Sequence, residues 1–261
     1  IHAHIQTTSK MFDGCAAAYA GAAPNTYVSA VSLGLPGTLP VLNRRAVELA
    51  ALSGLALNCT INEHSVFSRK SYPYPDLPKG FQITQYDEPL CSDGWVEVRA
   101  GDGTTKRVGI ERIHIEEDTG RLLHDGDDAA LIDYNRSGVP LMEIVSRPDI
   151  STPEEDRLTF EKIRQILLWI GVNSGNLEEG ALRCDANVSV RPAGQAAYGA
   201  KVEIKNLNSF KAVERALAYE IERQTAAYEA GEEVFQETRG WREDLGVTRG
   251  QRSKEFAHDY R

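Results

Sequence analysis

Residues 94–117 read GWVEVRAGDGTTKRVGIERIHIEE, and this stretch decides the fold class. Two segments with strand-like patterning, residues 94–100 and 106–117, flank Gly101-Asp102-Gly103, which is typical of a hairpin turn. Strands joined by so short a connection run antiparallel. The stretch therefore predicts an antiparallel hairpin.

Further strand and helix patterns lie on both sides of this hairpin. Strands are predicted at residues 1–6, 141–146, 186–190 and 201–205. Helices are predicted from a cap at Asn43 to about residue 57, from Pro153 to Gly171, and from about residue 208 to Gly231. Paired strands beside a few helices predict the α+β class, built around an antiparallel sheet.

Composition limits the classes of function. The chain of 261 residues has 29 Lys and Arg against 38 Asp and Glu, a net charge of −9. This balance disfavours a nonspecific nucleic-acid binder, although local contact with an RNA end is compatible with it. The longest apolar run, residues 166–170, is far short of the roughly 20 residues that span a bilayer.

The four cysteines are sparse and far apart, which favours a reducing compartment. They are Cys15, Cys59, Cys91 and Cys184. Because no CxxC pair occurs, the sequence carries no zinc-ribbon signature.

Two acidic segments are candidates for chemistry. Glu143 lies in the otherwise apolar strand at residues 139–145, where a buried carboxylate needs a metal ion or an arginine, unless it lies on a solvated edge. In residues 112–118, Glu116 shares a strand face with His114, while Glu117 points to the opposite face. Successive acids at a strand end suit Mg²⁺, but they are also common as solvated caps.

Two later strands carry polar faces. Residues 183–191 place an acid, an amide, a hydroxyl and a guanidinium on one face, namely Asp185, Asn187, Ser189 and Arg191. Lysines flank an acid in the next strand, at Lys201, Glu203 and Lys205. These faces can hold a phosphate or a polar substrate, or they can be a solvated sheet face with cross-strand ion pairs.

The remaining signals concern metal and nucleotide binding. His2 and His4 share a strand face and are either a ligand pair or surface residues. No GxxxxGK[ST] or GxGxxG loop and no GxSxG elbow occurs. If the protein uses ATP, carboxylate-bound Mg²⁺ and basic side chains on a sheet must hold it.

The chain resembles, over essentially its whole length, the B subunit of tRNA-dependent amidotransferases (the GatB family), and six segments carry the resemblance. They are residues 67–87 (FSRKSYPYPDLPKGFQITQYD), 113–118 (IHIEED), 133–145 (DYNRSGVPLMEIV), 179–191 (EGALRCDANVSVR), 203–210 (EIKNLNSF) and 258–261 (HDYR). The resemblance implies a single catalytic domain at residues 1–261, a cradle of antiparallel sheet flanked by helices, similar to the catalytic domain of glutamine synthetase. The helical and tail domains with which the family binds tRNA are expected to lie beyond this chain.

The resemblance also implies an activity. The family uses ATP and Mg²⁺ to phosphorylate the side-chain carboxylate of Glu-tRNA(Gln) or Asp-tRNA(Asn). Ammonia from the glutaminase A subunit then displaces phosphate to form the amide, which makes the enzyme a carbon–nitrogen ligase (EC 6.3.5.-). A small C subunit completes the heterotrimer. No membrane association is expected, and the expected location is the bacterial cytoplasm, with an organelle as the alternative.

Site residues follow from the same motifs. The implied metal ligands are His2, Glu143 and one of Glu116 and Glu117, and Glu117 is preferred. Catalytic roles are implied for Glu117, Glu143, Arg183 and Asp185. Nucleotide contacts are implied for Asn187, Ser189, Arg191, Lys201, Glu203 and Lys205.

Three departures from the family pattern bear on function. The family's first-strand Glu would precede Ile1. Only Cys15 of the family's zinc-binding cysteines is present, so no zinc is predicted. Arg147 adds a positive charge near the site. Two alternatives to the ligase remain: a non-catalytic scaffold fragment of the same complex, and a metal-dependent hydrolase.

Overall fold

The computed structural model describes residues 1–125, 129–251 and 259–260. The helices are α1 (Arg44–Ala56), α2 (Pro153–Trp169) and α3 (Phe210–Glu229). The strands are β1 (His2–His4), β2 (Thr60–Ile61), β3 (Ser68–Ser71), β4 (Phe81–Thr84), β5 (Cys91–Arg99), β6 (Thr105–Glu117), β7 (Arg121–Asp125), β8 (Ala129–Asp133), β9 (Pro140–Ser146), β10 (Leu182–Val188), β11 (Val202–Leu207), β12 (Glu237–Arg242), β13 (Val247–Gly250) and β14 (Asp259–Tyr260).

Nine strands form the main sheet, in the order β13-β12-β11-β10-β1-β9-β6-β5-β2. The predicted hairpin is β5–β6, which pairs antiparallel from Cys91 opposite Ile113 to Arg99 opposite Thr105. The β11–β12 pair is parallel, and the other neighbours in this sheet pair antiparallel. The α+β class is therefore confirmed, with a mostly antiparallel mixed sheet and three helices in the described residues.

Side-chain caps start the three helices. The side chains of Asn43, Thr152 and Ser209 accept hydrogen bonds from backbone N–H groups in the first turns of α1, α2 and α3. Such caps satisfy N–H groups that have no partner within the helix, and each stabilises it by about 1 kcal/mol. The Asn43 cap and the Pro153 start were predicted, since both are local sequence signals. Among the described residues no helix is long and apolar enough to cross a membrane.

One face of the sheet forms the core. Alternate residues of the central strands, including Ile113, Ile115, Met142, Ile144 and Leu182, are buried in one hydrophobic cluster with residues of the helices. Full burial of such a side chain contributes about 1.5–3 kcal/mol. Because side chains alternate along a strand, the intervening residues of β1, β6, β9 and β10 lie on the other face. The candidate site lies on that face.

Several elements were not predicted or differ from the prediction in their bounds. The proline-rich residues 67–89 contain the β3–β4 hairpin, and β14 pairs with β3, which places Asp259 and Tyr260 of the 258–261 motif in a small sheet. His258 and Arg261 of that motif lie outside the described residues. Strand β10 begins and ends earlier than predicted, and a register shift interrupts its pairing with β11 between Cys184 and Ala186.

Candidate metal and phosphate site

The register of the central strands brings polar residues together. His2 lies opposite Glu143 of β9 and opposite Arg183 of β10, and His114 of β6 also lies opposite Glu143. Directly opposed residues in antiparallel strands point to the same face. Glu116, two residues after His114, lies on that face as well. Four strands distant in sequence thus contribute to one polar surface.

A group of three potential metal ligands lies at the centre of this surface. His2, Glu116 and Glu143, the ligand triad, each offer one ligand atom, and these atoms all lie within 4.8 Å of one another. Two carboxylates and an imidazole suit a divalent cation, and the carboxylates favour a hard ion such as Mg²⁺ or Mn²⁺. The residues present therefore fit the metal that the resemblance implies.

His114 bridges the two acids of the triad. Its Nε2 lies 3.1 Å from Glu143 Oε2 and 3.7 Å from Glu116 Oε2. Burial alone would lower the pKa of His114, but the nearby carboxylates of Glu116 and Glu143 dominate and raise it to about 9. For Glu143, burial opposes ionisation, whereas the hydrogen bond from His114 and the charge of His2 bring its pKa below the usual range. His114 thus neutralises part of the acidic charge, a role that the sequence did not reveal.

Glu117 lies in a different environment. Its Oε2 accepts from Lys79 Nζ at 2.6 Å, its Oε1 accepts from the backbone N–H of Ile83 at 3.1 Å, and both side chains of this ion pair are buried. The acid that lies with Glu143 and His2 is Glu116, so the geometry favours Glu116 over the predicted Glu117 as the partner of Glu143. Glu117 instead balances a buried lysine.

Asp118 is the next acid along the chain, and its neighbours are basic side chains. Its Oδ2 accepts from His4 Nε2 at 2.6 Å and from Arg183 Nη2 at 3.0 Å, and Arg136 Nε lies 3.6 Å away. Burial would raise the pKa of Asp118, but Arg183 and Arg136 bring it well below its usual range. The two histidines of β1 therefore separate in role, because His2 joins the triad and His4 binds Asp118.

Asp185 and Lys205 form the side of the polar face next to Arg183. Lys205 Nζ lies 3.2 Å from Asp185 Oδ2 and 3.3 Å from Glu203 Oε1. Burial would lower the pKa of Lys205, but both acids raise it. Glu203 also accepts from Thr238 Oγ1 at 3.0 Å. The structure thus shows the cross-strand ion pairs that were one of the two interpretations of these residues.

The predicted polar face does not extend to every residue named for it. Asn187 lies opposite Glu203 in register, but Ser189 and Arg191 follow the end of β10. The guanidinium of Arg191 lies 4.7 Å from the centre of the Tyr198 ring. Lys201 precedes β11 and is exposed. The expected shared face therefore breaks up, because the strand ends at Val188 and the register shifts after Cys184.

Two further expectations concern Arg147 and the cysteines. Arg147 follows the end of β9 and forms an ion pair with Asp93 at 2.5 Å, so its charge is balanced. All four cysteines are free thiols, and burial raises the pKa of Cys59 to about 11 and that of Cys91 to about 12. The absence of zinc stays a prediction.

The sheet of this α+β domain presents two carboxylates, a histidine ligand and a nearby arginine. A protein of this class can hold a divalent cation beside an anionic substrate. The family described as "GatB/GatE catalytic domain" matches residues 1–261. The chain belongs to this family, as the resemblance implied.

Named relatives agree with the family. The chain is 67% identical over 261 residues to the aspartyl/glutamyl-tRNA(Asn/Gln) amidotransferase B subunit of Roseiflexus castenholzii, an alignment that covers 100% of this chain and 54% of that protein. Identity is 63% over 261 residues to the B subunit of the same name from Herpetosiphon aurantiacus, with 100% and 54% coverage. It is 58% over 264 residues to that of Thermomicrobium roseum, with the same coverage. The chain spans about half the length of these curated relatives.

Proposed function

We propose that this chain activates the side-chain carboxylate of a misacylated tRNA by ATP-dependent phosphorylation, as part of an amidotransferase. The observation that carries the proposal is the ligand triad of His2, Glu116 and Glu143, with Arg183 opposite His2. Its fit to a divalent cation accords with the relatives, which are named as the B subunit of an aspartyl/glutamyl-tRNA(Asn/Gln) amidotransferase.

The chemistry needs charge neutralisation more than covalent help. The substrate carboxylate attacks the terminal phosphorus of ATP, ADP leaves, and an acyl phosphate forms. Ammonia then attacks the acyl carbon, and phosphate leaves with the bonding pair to give the amide. A divalent cation bound by the triad would neutralise phosphate charge and hold the phosphates in place.

The chain's own residues supply the rest of the electrostatics. His114 holds the Glu116 and Glu143 carboxylates in position from the sheet side. Arg183, bound by Asp118, offers positive charge at the edge of the triad, where the transferred phosphoryl group must pass. Lys205 and Asp185 lie beyond Arg183 and are suited to orient the nucleotide. Glu203 and Asn187 remain candidates for nucleotide contacts, whereas the geometry gives no support to Ser189, Arg191 and Lys201.

The proposal extends to the assembly. The substrates are Glu-tRNA(Gln), Asp-tRNA(Asn) or both, and the partners are a glutaminase A subunit and a C subunit in the bacterial cytoplasm. Residues 1–261 would form one catalytic domain, with its sheet similar to that of glutamine synthetase, while further domains bind tRNA. The class of reaction would be that of a ligase with glutamine as amide donor, EC 6.3.5.-.

Calorimetric titration tests the proposal. The protein is titrated with ADP and with a non-hydrolysable ATP analogue, each with and without Mg²⁺. We expect Mg²⁺-dependent binding that weakens at least tenfold in Glu143→Gln and Glu116→Gln. Glu97→Gln is the matched control, because Glu97 is an exposed acid on the same sheet, in β5. A folded protein that binds neither nucleotide in Mg²⁺ would contradict the proposal and favour the scaffold alternative.

A further inference from the structure

Two arginines contact the buried Asp118 beside the ligand triad, and a third lies three residues further along the chain. Arg183 and Arg136 approach its Oδ2 at 3.0 and 3.6 Å. Arg121 begins β7, directly after Gly120, whose carbonyl accepts from Arg136 Nη2 at 2.8 Å. Arg121, Arg136 and Arg183 are called the arginine cluster below. They come from three separate segments that meet at the end of β6, so the fold brings them together.

Tyr19 completes this cluster. Its ring contacts the ring of His4 edge-on, with centroids 6.4 Å apart, and His4 is itself hydrogen-bonded to Asp118. Burial raises the pKa of Tyr19, and the positive charges of Arg136, Arg183 and Arg121 oppose this rise. The phenol therefore lies within electrostatic reach of all three guanidiniums.

Several donors of the cluster are not used within the described part of the chain. Arg136 donates Nε and Nη2 to the carbonyls of Thr119 and Gly120, which leaves its Nη1 without a partner there. Arg183 donates Nη2 to Asp118, and its Nε is buried with no hydrogen-bond partner in the described residues. Arg121 is exposed and forms no ion pair with any described residue. Buried donors without partners are rare unless a ligand or water satisfies them.

The acids near the cluster have other partners as well. Asp118 offers its one negative charge to Arg183, Arg136 and His4. Glu116 and Asp185 lie near Arg183, but His114 and Lys205 already bind them. Asp133 lies opposite Arg121 in register, and its Oδ1 accepts from the backbone N–H groups of Asn25 and Asn135. The three guanidiniums are therefore held close together on a chain whose net charge is −9.

We propose that the arginine cluster is a phosphate-binding site, which takes a backbone phosphate of the acceptor end of the RNA substrate. Guanidinium groups bind phosphate through paired N–H donors, and the fixed fork of Arg136 and Arg183 is preorganised by their bonds to carbonyls and to Asp118. Asp118 is then a positioning residue, because it accepts a hydrogen bond from Arg183 and so orients this member of the cluster beside the triad.

RNA is favoured over a free nucleotide as the source of the phosphate. The aminoacyl group must reach the triad at the end of an RNA strand, so the last phosphate of that strand lies only one nucleoside and one amino-acid side chain away from the triad. The cluster borders the triad through Arg183 and extends outward to the exposed Arg121, which suits a strand that enters from solvent. This choice of source rests on the proposed function, whereas the affinity for phosphate does not.

Binding of a labelled single-stranded RNA ending in CCA tests the site. Fluorescence anisotropy is measured over a range of salt concentrations for the protein, for Arg121→Gln and for Arg249→Gln. Arg249 is a matched control, since it is exposed on β13 at the far edge of the sheet. We expect Arg121→Gln to weaken binding about three- to tenfold and to reduce the salt slope by about 0.7, the loss of one phosphate contact on a single strand. Arg249→Gln should change neither value.

Titration of Arg121→Gln with ADP identifies the source of the phosphate. If only RNA affinity falls, the cluster binds the RNA strand. If only ADP affinity falls, the cluster binds phosphate of the nucleotide and the proposal is overturned. Unchanged RNA and ADP affinities, or equal loss in Arg249→Gln, would overturn the proposal.

The failure of this inference and the failure of the proposed function are distinguishable. Arg121-dependent RNA binding without Mg²⁺-dependent nucleotide binding would keep the cluster and reject the ligase site. Normal nucleotide binding with an inert Arg121→Gln would do the reverse. A second variant, Arg136→Lys, keeps the charge but removes the fork, and we expect it to weaken RNA binding in the same direction.

Discussion

Glu116 and Glu117 are neighbours in sequence, but their buried carboxylates lie in regions that offer them very different partners. Glu117 is paired with a buried lysine at 2.6 Å and accepts a backbone N–H as well. Glu116 Oε2 accepts from Thr84 Oγ1 at 2.8 Å and lies 3.7 Å from His114 Nε2, and the carboxylate faces two other potential ligands. The first region is electrostatically closed, and the second keeps ligand atoms available. The comparison teaches that burial of a carboxylate does not by itself identify a site, whereas its proximity to other ligand atoms does.

The largest expected effect concerns the closed region. Lys79→Met leaves Glu117 buried without its counter-ion, and loss of one partner of a buried ion pair costs about 3–5 kcal/mol. Urea denaturation should show this decrease in the free energy of unfolding. The double variant Lys79→Met with Glu117→Met should recover much of it, since both charges are then absent. A loss below about 1 kcal/mol in the single variant would mean that the pair is not closed.

Substitution in the region of Glu116 should change the affinity for a metal ion more than the stability of the protein. His114→Gln removes the imidazole that orients the Glu116 and Glu143 carboxylates, and loss of such an orienting residue lowers metal affinity about 10- to 100-fold. Titration with Mn²⁺, followed by its electron paramagnetic resonance signal, measures this directly. His64→Gln is the control, because His64 also contacts a carboxylate, that of Glu88, but does so at the surface. Equal Mn²⁺ affinity in His114→Gln and the wild type would contradict the bridging role.

Local sequence pattern predicted one part of this difference between Glu116 and Glu117 but not the other. Strand alternation places Glu116 and Glu117 on opposite faces, and the hairpin and the Asn43 and Pro153 helix starts are equally local signals. The residues that pack against each face come from distant parts of the sequence. Lys79 reaches Glu117 from 38 residues away, and the face of Glu116 is defined by β1 and β9. The preference for Glu117 as a metal ligand therefore had no support in local pattern.

Register was the second thing that local pattern could not supply. Strict alternation from residue 183 to residue 191 predicted one continuous polar face. The structure shifts the pairing with β11 between Cys184 and Ala186 and ends the strand at Val188. Such irregularities depend on how neighbouring strands pair, and they decide that Asp185 meets Lys205 while Arg191 lies outside.

A third buried acid, Asp156, has neither a counter-ion like that of Glu117 nor neighbouring ligand atoms like those of Glu116. Asp156 of α2 has a buried Oδ2 with no hydrogen bond to any described residue, and burial raises its pKa from 3.8 to about 6. The folded state thus prefers the protonated acid. The stability penalty is absent below about pH 4, grows as the pH rises through about 6, and is then constant.

Asp156→Asn should therefore stabilise the protein at neutral pH by about 1–3 kcal/mol, following the conversion of a pKa difference into free energy. Denaturation at about pH 4 and at about pH 7.5 checks this, and the gain should appear only at the higher pH. A variant that is less stable at both values would show that Asp156 has a favourable partner after all.

The smallest expected effect separates two lysines on one strand segment. Lys205 is bound to Asp185 and Glu203 beside Arg183, while Lys201 is exposed and precedes β11. Under the proposed function, Lys205→Gln should weaken nucleotide binding several-fold, and Lys201→Gln should change it less than twofold. Calorimetric titration in Mg²⁺ measures both variants. Equal weakening would mean that the lysines act only through general charge, and the boundary of the nucleotide site would then extend past the end of β11 toward solvent.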